Sequence, residues 1–240
     1  SKSTGVQLKY FLKKRHTYGK MSLDIKDEQG NIVADLAPGK AKGINIVTWN
    51  ANRKLPKTAK GKTFAFGGFT APKVPAGMYT AILKKGKDTF EHTFELVYDE
   101  ANNHSMEDRK LKNDITTKLY DMTQDLAYLV YEMDEIIQSA ESNGNAKTAE
   151  KLNSLKETLV ITTGDNYVGS AEPQLREKMA KLYSKVAASY DKPTASEMEN
   201  LKVISSRFET AKTDFAKIKN KYLKKQPLEL KTFDEFLESK

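Results

Sequence analysis

Residues 74–97 read VPAGMYTAILKKGKDTFEHTFELV and predict the closing hairpin of a β-domain. Two runs of alternating apolar side chains flank a turn that contains Gly86 and Asp88. In the second run Phe90, Phe94 and Leu96 share one face, while glutamates occupy the other face. This alternation predicts a strand that packs with one side and meets solvent with the other, and the chain turns helical soon afterwards.

Residues upstream of the hairpin predict more short strands. Alternation at 6–12 indicates a first strand, and a second hairpin follows at 21–25 and 32–36 around a turn rich in Asp and Gly. Residues 44–49 are apolar on both faces, which is typical of a strand in a sheet interior. Residues 50–73 predict a long loop, with 63–69 as a candidate edge strand. Six or seven such strands in about 100 residues imply an antiparallel β-sandwich.

After residue 103 the apolar period changes from two to that of a helix. Apolar residues recur at spacings of three and four from Leu111 to Ile137, which predicts one long helix ending near 142–145. Three further stripes predict helices, and the last of them is entered through a capping box formed by Thr194 and Glu197. The expected α+β multidomain chain has a sandwich over 1–101, an antiparallel four-helix bundle over 104–226 and a tail, 227–240, that packs back.

The net charge of the sequence changes near residue 103, where the apolar period also changes. Residues 1–103 contain 18 Lys and Arg against nine Asp and Glu, whereas the rest contains 22 against 23, so the net charge of +8 arises in the β half. Lysines 54, 57, 60 and 62 lie in one loop without an interleaved stacking pattern, which favours a solvated surface over nucleic-acid binding. No apolar run reaches membrane-spanning length, so neither a nucleic-acid partner nor a membrane span is expected.

Few residues form a pattern typical of catalysis or metal binding. His16, His92 and His104 are too far apart for a ligand motif, and His92, on the inward face of the last strand, is interpreted as a core or rim histidine. Asp121 and Asp125 share a helix face, but that face lies opposite the apolar stripe and predicts solvated carboxylates. The chain also lacks cysteine and the common nucleotide and hydrolase motifs. We therefore predict no catalytic residue, cofactor or metal, and no enzymatic activity.

Aromatic side chains offer one other kind of site, a platform on which sugar rings stack. The candidate platform consists of Trp49 with Phe64, Phe66 and Phe69. A lone Trp at the end of a strand is more often a core residue because of its large apolar surface, so the core interpretation of Trp49 is favoured.

The motifs GINIVTWN at 43–50 and VPAGMYT at 74–80 resemble the immunoglobulin-like domain of flagellar hook-capping proteins and many secreted bacterial proteins. YFLKKR at 10–15, HSMEDR at 104–109, KLYDM at 118–122 and EPQLREK at 172–178 are similar to the C-terminal region of large exported Bacteroidetes proteins. In those proteins a sortilin-like propeller with Asp-box repeats, often labelled glycosyl hydrolase or sialidase-like, precedes this region. The Asp-box pattern S-x-D-x-G-x-T-W is absent here, so the resemblance transfers no catalytic residue.

The resemblance implies a non-catalytic accessory segment of an exported bacterial protein, located in the periplasm, at the outer-membrane surface or outside the cell. Its expected role is to brace an upstream propeller or to dock a protein partner. The alternative is a carbohydrate-binding module that assists a glycoside hydrolase, with a glycan as partner and Trp49 or the 64–69 patch as platform. An enzyme that uses the 164–173 loop is least favoured because no nucleophile and base pair is visible.

Overall fold

The computed structural model describes residues 5–63, 70–98, 104–162, 172–189 and 191–239. Within these ranges six strands precede five helices, and every strand pair is antiparallel. The predicted α+β class and the order of strands before helices are therefore confirmed. The candidate strand at 63–69 and the 164–173 loop lie almost wholly outside the described residues.

The strands in chain order are β1 (Val6–Leu12), β2 (Met21–Lys26), β3 (Ile32–Leu36), β4 (Gly43–Trp49), β5 (Gly77–Lys85) and β6 (Asp88–Leu96). β1 pairs with β4 in a two-stranded sheet, and the other four form a sheet in the order β3-β2-β5-β6. The β5–β6 hairpin turns at Gly86, whose φ of 61° lies in the left-handed region that glycine tolerates without strain. The hairpin predicted from residues 74–97 is thus present.

Both sheets contribute side chains to one core. Leu8 and Leu12 of β1 share a cluster with Leu23 and Ile25 of β2 because alternate residues of each strand point to the same side. Trp49 is 2% exposed, and its indole N–H donates to the carbonyl of Asn52 at 2.9 Å. Its ring makes edge contacts with the rings of Tyr79 and Phe94, with centroids 5.5 and 6.1 Å away.

Two strands are more exposed than their sequences predict. The apolar residues on both faces of β4 predicted an interior strand, and this is wrong because Ile44 and Ile46 are 72% and 56% exposed. Within the described residues β4 pairs with β1 alone. In β6 the predicted face is correct for Phe94 and Leu96, which pack on the core, but Phe90 on that face is 57% exposed. His92, expected in the core or at its rim, is also exposed.

The helices in chain order are α1 (Met106–Ser142), α2 (Ala146–Glu157), α3 (Leu175–Ala188), α4 (Ala195–Leu223) and α5 (Phe233–Glu238). The capping box that begins α4 forms as predicted, because the Thr194 hydroxyl accepts from the backbone N–H of Glu197 and the Glu197 carboxylate accepts from that of Thr194. Leucines and other apolar residues of α1 to α4 share one core, and Leu228 and Phe236 of the tail pack against it.

Contacts divide the chain into two compact units. The β unit comprises Ser1–Lys54 and Ala71–Met106, and the helical unit comprises Leu55–Thr70 and Glu107–Lys240. Part of the long loop between β4 and β5 therefore belongs to the helices. Residues 55–63 of this loop are named the strap. Ala59 of the strap is buried in the helical core, and the backbone N–H of Lys62 donates to the carbonyl of Ile161 at 2.8 Å.

A buried arginine holds the strap to the start of α3. Arg176 is 5% exposed and donates hydrogen bonds to the carbonyls of Ala59 and Thr63 at 2.8 and 2.7 Å, while Glu177 balances its charge at 2.6 Å. A Cβ atom on Gly61 would lie 2.6 Å from the guanidinium, so only glycine leaves room for this packing. The arginine satisfies carbonyl groups of a segment that has no helix or strand of its own in its described part.

Candidate binding groove

One opening in the β unit lies beside the β1–β2 turn. It has a volume of about 600 Å³ and is lined by residues 10–16 together with Leu83, Lys85 and Phe90. Volumes of this size are typical of ligand pockets in proteins. Leu12, Leu83 and Phe90 supply apolar surface, so the opening combines an apolar wall with a polar turn.

The turn is positioned by backbone hydrogen bonds. The N–H of His16 donates to the carbonyl of Lys40 at 3.0 Å, and the N–H of Gly86 donates to the carbonyl of Lys20 at 3.3 Å. His16 also donates through its ring Nε2 to the carbonyl of Gly19 at 3.2 Å. These bonds hold the basic residues of the turn next to the end of the β5–β6 hairpin.

The lining of this opening is strongly cationic. Lys13, Lys14, Arg15 and Lys85 line it, and no carboxylate does. Lys85 lies 3.7 Å from Asp88, a partly exposed pair that offsets little charge. In the described part of the chain the three turn residues form no ion pair. The groove therefore attracts anions, and its apolar wall favours anions that also carry apolar groups.

Tyr10 adds a neutral polar group to this lining. Its hydroxyl donates to the carbonyl of Gly39 at 2.7 Å, and partial burial raises the pKa of Tyr10. The phenol therefore stays protonated at neutral pH and leaves the positive charge of the groove unopposed.

A second opening lies toward the other ends of β1 and β6. Its volume is about 330 Å³, and it is lined by Gly5 and Val6 with residues 74–76 and 96–98, together with Ala51. β1 residues 10–12 line the first opening with Phe90, and Val6 lines the second with Leu96. Each end of β1 therefore shares an opening with a residue of β6, with the two chains in opposite directions, and we name the gap between β1 and β6 the seam.

A third opening, of about 380 Å³, lies between α1 and α4 of the helical unit. Two of its lysines are paired within the protein, because Lys219 donates to the buried carboxylate of Glu132 and Lys212 donates to Glu209 at 3.0 Å. Tyr128 donates to the carbonyl of Lys231 at 2.8 Å, and burial, followed by the nearby Glu132 carboxylate, raises the pKa of Tyr128 to about 12. A phenol with this pKa stays protonated at neutral pH and neither gives up nor accepts a proton readily, and the arrangement is that of a packed helix contact.

The structure places the residues singled out in the sequence as follows. Trp49 lies in the β-unit core, with its ring against Tyr79 and Phe94, whereas Phe64, Phe66 and Phe69 lie outside the described residues. The sugar platform therefore stays a prediction, since three of its four residues are not described. Asp121 and Asp125 are exposed, as their position opposite the apolar stripe predicted. Burial raises the pKa of Asp125, and Lys212 partly opposes this shift.

The described residues contain no cluster of three His, Asp or Glu side chains arranged to hold a metal ion. Their helices are also too short or too polar to cross a bilayer. Comparison with protein-family models, with curated proteins and with solved structures finds no match to this chain.

Sequence reasoning missed the groove for a physical reason. The run of three cations at 13–15 was visible as a basic turn, but Phe90 is 75 residues away from it in the sequence and was assigned to the core. The one available signal was that three adjacent cations follow a strand whose outward residue, Phe11, is aromatic. Only the fold shows that these groups share an opening.

Proposed function

We propose that this chain is a non-catalytic docking segment that binds a protein partner through the β unit. The observation that supports this function most directly is the 600 Å³ opening, which combines uncompensated cations with the exposed ring of Phe90. An exposed aromatic residue bordered by polar groups is typical of protein interaction sites. No described arrangement of nucleophile, base and oxyanion donors accompanies it, so binding is the chemistry that these residues perform best.

The proposal includes a finer description of the two units. We infer that the β unit is an immunoglobulin-like sandwich, which is supported by the core that the two antiparallel sheets share around Trp49. We infer likewise that α1 to α4 form an antiparallel bundle, supported by their common apolar core. The resemblance of the sequence to exported Bacteroidetes proteins is the basis for proposing that the segment braces an upstream propeller in such a protein.

Site-specific photocrosslinking tests the docking role. A benzophenone amino acid in place of Phe90 is expected to crosslink one polypeptide when the chain is present in its native cells, and the same group in place of Val203 is not. Val203 is the matched control because it is 52% exposed on α4, close to the exposure of Phe90. The crosslinked polypeptide is then purified and its affinity for the chain is measured.

Charge reversal decides whether that polypeptide uses the groove. Replacing Lys13, Lys14 and Arg15 by Glu is expected to weaken its binding at least about tenfold, since the reversed turn repels an anionic partner. The control variant replaces three exposed lysines of the helical unit by Glu, which changes the net charge by the same amount. These lysines are Lys147, Lys151 and Lys225. Equal affinities for the two variants would contradict the proposal. Crosslinks to glycan alone would favour the carbohydrate-binding alternative.

A further inference from the structure

The two sheets of the β unit differ in width. Four strands form one sheet and two described strands form the other, so the smaller sheet covers only part of the larger one. The first half of β6 is uncovered, because Phe90 and His92 are exposed although they share the face of the packed residues Phe94 and Leu96. Along this strand a face that begins in solvent ends against the core.

The uncovered face has the length of a strand. The two openings of the seam, about 600 and 330 Å³, lie at opposite ends of β1, which has seven residues, and of β6, which has nine. Seven residues of extended chain span about 23 Å at the usual rise of a strand. An extended segment of about that length would cover the seam from the first opening to the second.

The backbone at the seam is able to pair with such a segment. Within the described residues β1 pairs with β4 alone and β6 pairs with β5 alone. Alternate residues of β1 therefore direct their N–H and C=O groups away from β4, where they can bond to an added strand. An unpaired strand edge of this kind is an open template for another chain.

The charges at the seam specify what that strand carries. Lys9 lies on the outward face of β1, and Lys13, Lys14 and Arg15 follow at its end. The inward side of the seam presents the exposed rings of Phe90 and His92. An added strand would place alternate side chains against these rings and the others beside the cations, so a pattern of alternating apolar and acidic residues is complementary to both sides.

We propose that the seam binds an extended segment of a partner protein, with alternating apolar and acidic residues, which pairs with β1 as a third strand of the smaller sheet. This inference rests on the proposed docking function and names the chemistry of the partner. Lys9 would repel a strand with basic side chains at the facing positions, so it acts as a selectivity residue for the bound segment.

Peptide binding to the full chain tests the inference. Three fluorescent nonapeptides are compared by anisotropy: one alternating Val and Glu, one alternating Val and Lys, and the Val and Glu peptide with every backbone nitrogen methylated, so that neither of its edges can donate a hydrogen bond. The acidic peptide is expected to bind at least about tenfold more tightly than either of the others, because the second lacks charge complementarity and the third cannot pair along an edge. Hydrogen exchange of the β1 amides is expected to slow only with the acidic peptide.

A charge-swapped chain supplies the second arm. With Lys13, Lys14 and Arg15 replaced by Glu, the preference is expected to invert toward the Val and Lys peptide, while the Lys147, Lys151 and Lys225 control keeps the original preference. Equal binding of the acidic and basic peptides, or undiminished binding of the methylated peptide, would overturn strand addition. If Phe90 crosslinks a partner whose binding depends on the basic turn but these peptides fail, the docking function stands and the added strand is wrong. If Phe90 crosslinks no partner that depends on the basic turn and the peptides also fail to bind, the docking function and the added strand are both wrong.

Discussion

The two units complete their cores in different ways. The helical unit uses chain segments from outside its long helices, because Ala59 of the strap enters the core and Phe236 of the tail packs against it, stacking on Tyr131 at 5.2 Å. The β unit has an apolar core around Trp49 but leaves the first half of β6 exposed. Extra chain segments thus complete the core of one unit, whereas in the other an uncovered half-strand is the surface for which we propose binding.

The largest expected effect concerns the β-unit core. Trp49→Ala is expected to lower the free energy of unfolding of this unit by about 3–5 kcal/mol, because it leaves a large cavity and an unpaired Asn52 carbonyl. Hydrogen exchange of the β2 and β5 amides measures this loss. Phe11→Ala is the control, since Phe11 is an exposed aromatic residue of the same unit. Unchanged protection together with lost glycan binding would instead show that Trp49 is a ligand platform.

Arg176→Ala tests how the helical unit depends on its strap. This substitution is expected to lower the free energy of unfolding of the helical unit by about 3 kcal/mol, because Glu177 and two strap carbonyls lose their buried partner. Urea unfolding followed by circular dichroism at 222 nm measures it, with the exposed Lys181→Ala on the same helix as control. Hydrogen exchange of residues 55–63 is expected to quicken as well. Unaltered protection of these amides would mean that the arginine does not hold the strap.

The capping box of α4 gives a smaller, pH-dependent effect. Hydrogen bonds from the backbone N–H of Thr194, and then from Lys185 and the Thr194 hydroxyl, hold the pKa of Glu197 below its usual value. A lowered pKa in the folded state stabilises the fold above the unfolded pKa of about 4.3, and this stabilisation disappears as the pH falls through the folded pKa.

Glu197→Gln is therefore expected to lower the free energy of unfolding by roughly 1 kcal/mol at pH 7, which is the usual size of a cap contribution. This decrease is expected to become progressively smaller below about pH 4. Thermal unfolding followed at 222 nm across this pH range measures the difference from the native chain. Glu199→Gln, at an exposed carboxylate in the same helical turn, is the control. A cost that does not vary with pH would show that the charge of Glu197 is unimportant.

The smallest stability effect is expected at the seam. Phe90 and Leu83 face each other across the β5–β6 ladder, but Phe90 is exposed and Leu83 is buried. Phe90→Ser is expected to change the free energy of unfolding by less than about 0.5 kcal/mol, as surface substitutions usually do, whereas Leu83→Ser costs about 2–4 kcal/mol. Unfolding followed by the fluorescence of the single Trp measures both. A large loss for Phe90→Ser would place it in the core and remove the basis for an open seam.

Local patterns in the sequence predicted the elements well where the signal is short in range. The capping box at Thr194, the end of α1 near Gly144 and the turn at Gly86 depend on residues within a few positions of one another, so these features were predictable. The period of β6 likewise identified the inner face correctly. It did not predict which part of that face is covered, since coverage depends on the width of the opposite sheet.

The strap was unpredictable for a related reason. Residues 55–63 have no apolar period, and their partners, Arg176 and the tail residue Phe236, lie more than 100 residues away in the sequence. Hydrogen bonds from Arg176 to backbone carbonyls leave no pattern in the strap itself, apart from the glycine at 61 that gives the guanidinium room. A carbonyl acceptor is present at every residue, so its choice of donor is decided by tertiary packing.

By itself the sequence determined that an antiparallel β region precedes a helical region, that positive charge concentrates in the first, and where most elements begin and end. These properties follow from side-chain period, caps and composition, which are local. The tertiary structure alone decided that the strap belongs to the helical unit and that β6 begins uncovered beside a basic turn. These two features depend on contacts between residues that are far apart in the sequence. No short sequence pattern contains both partners of such a contact, so local patterns do not predict it.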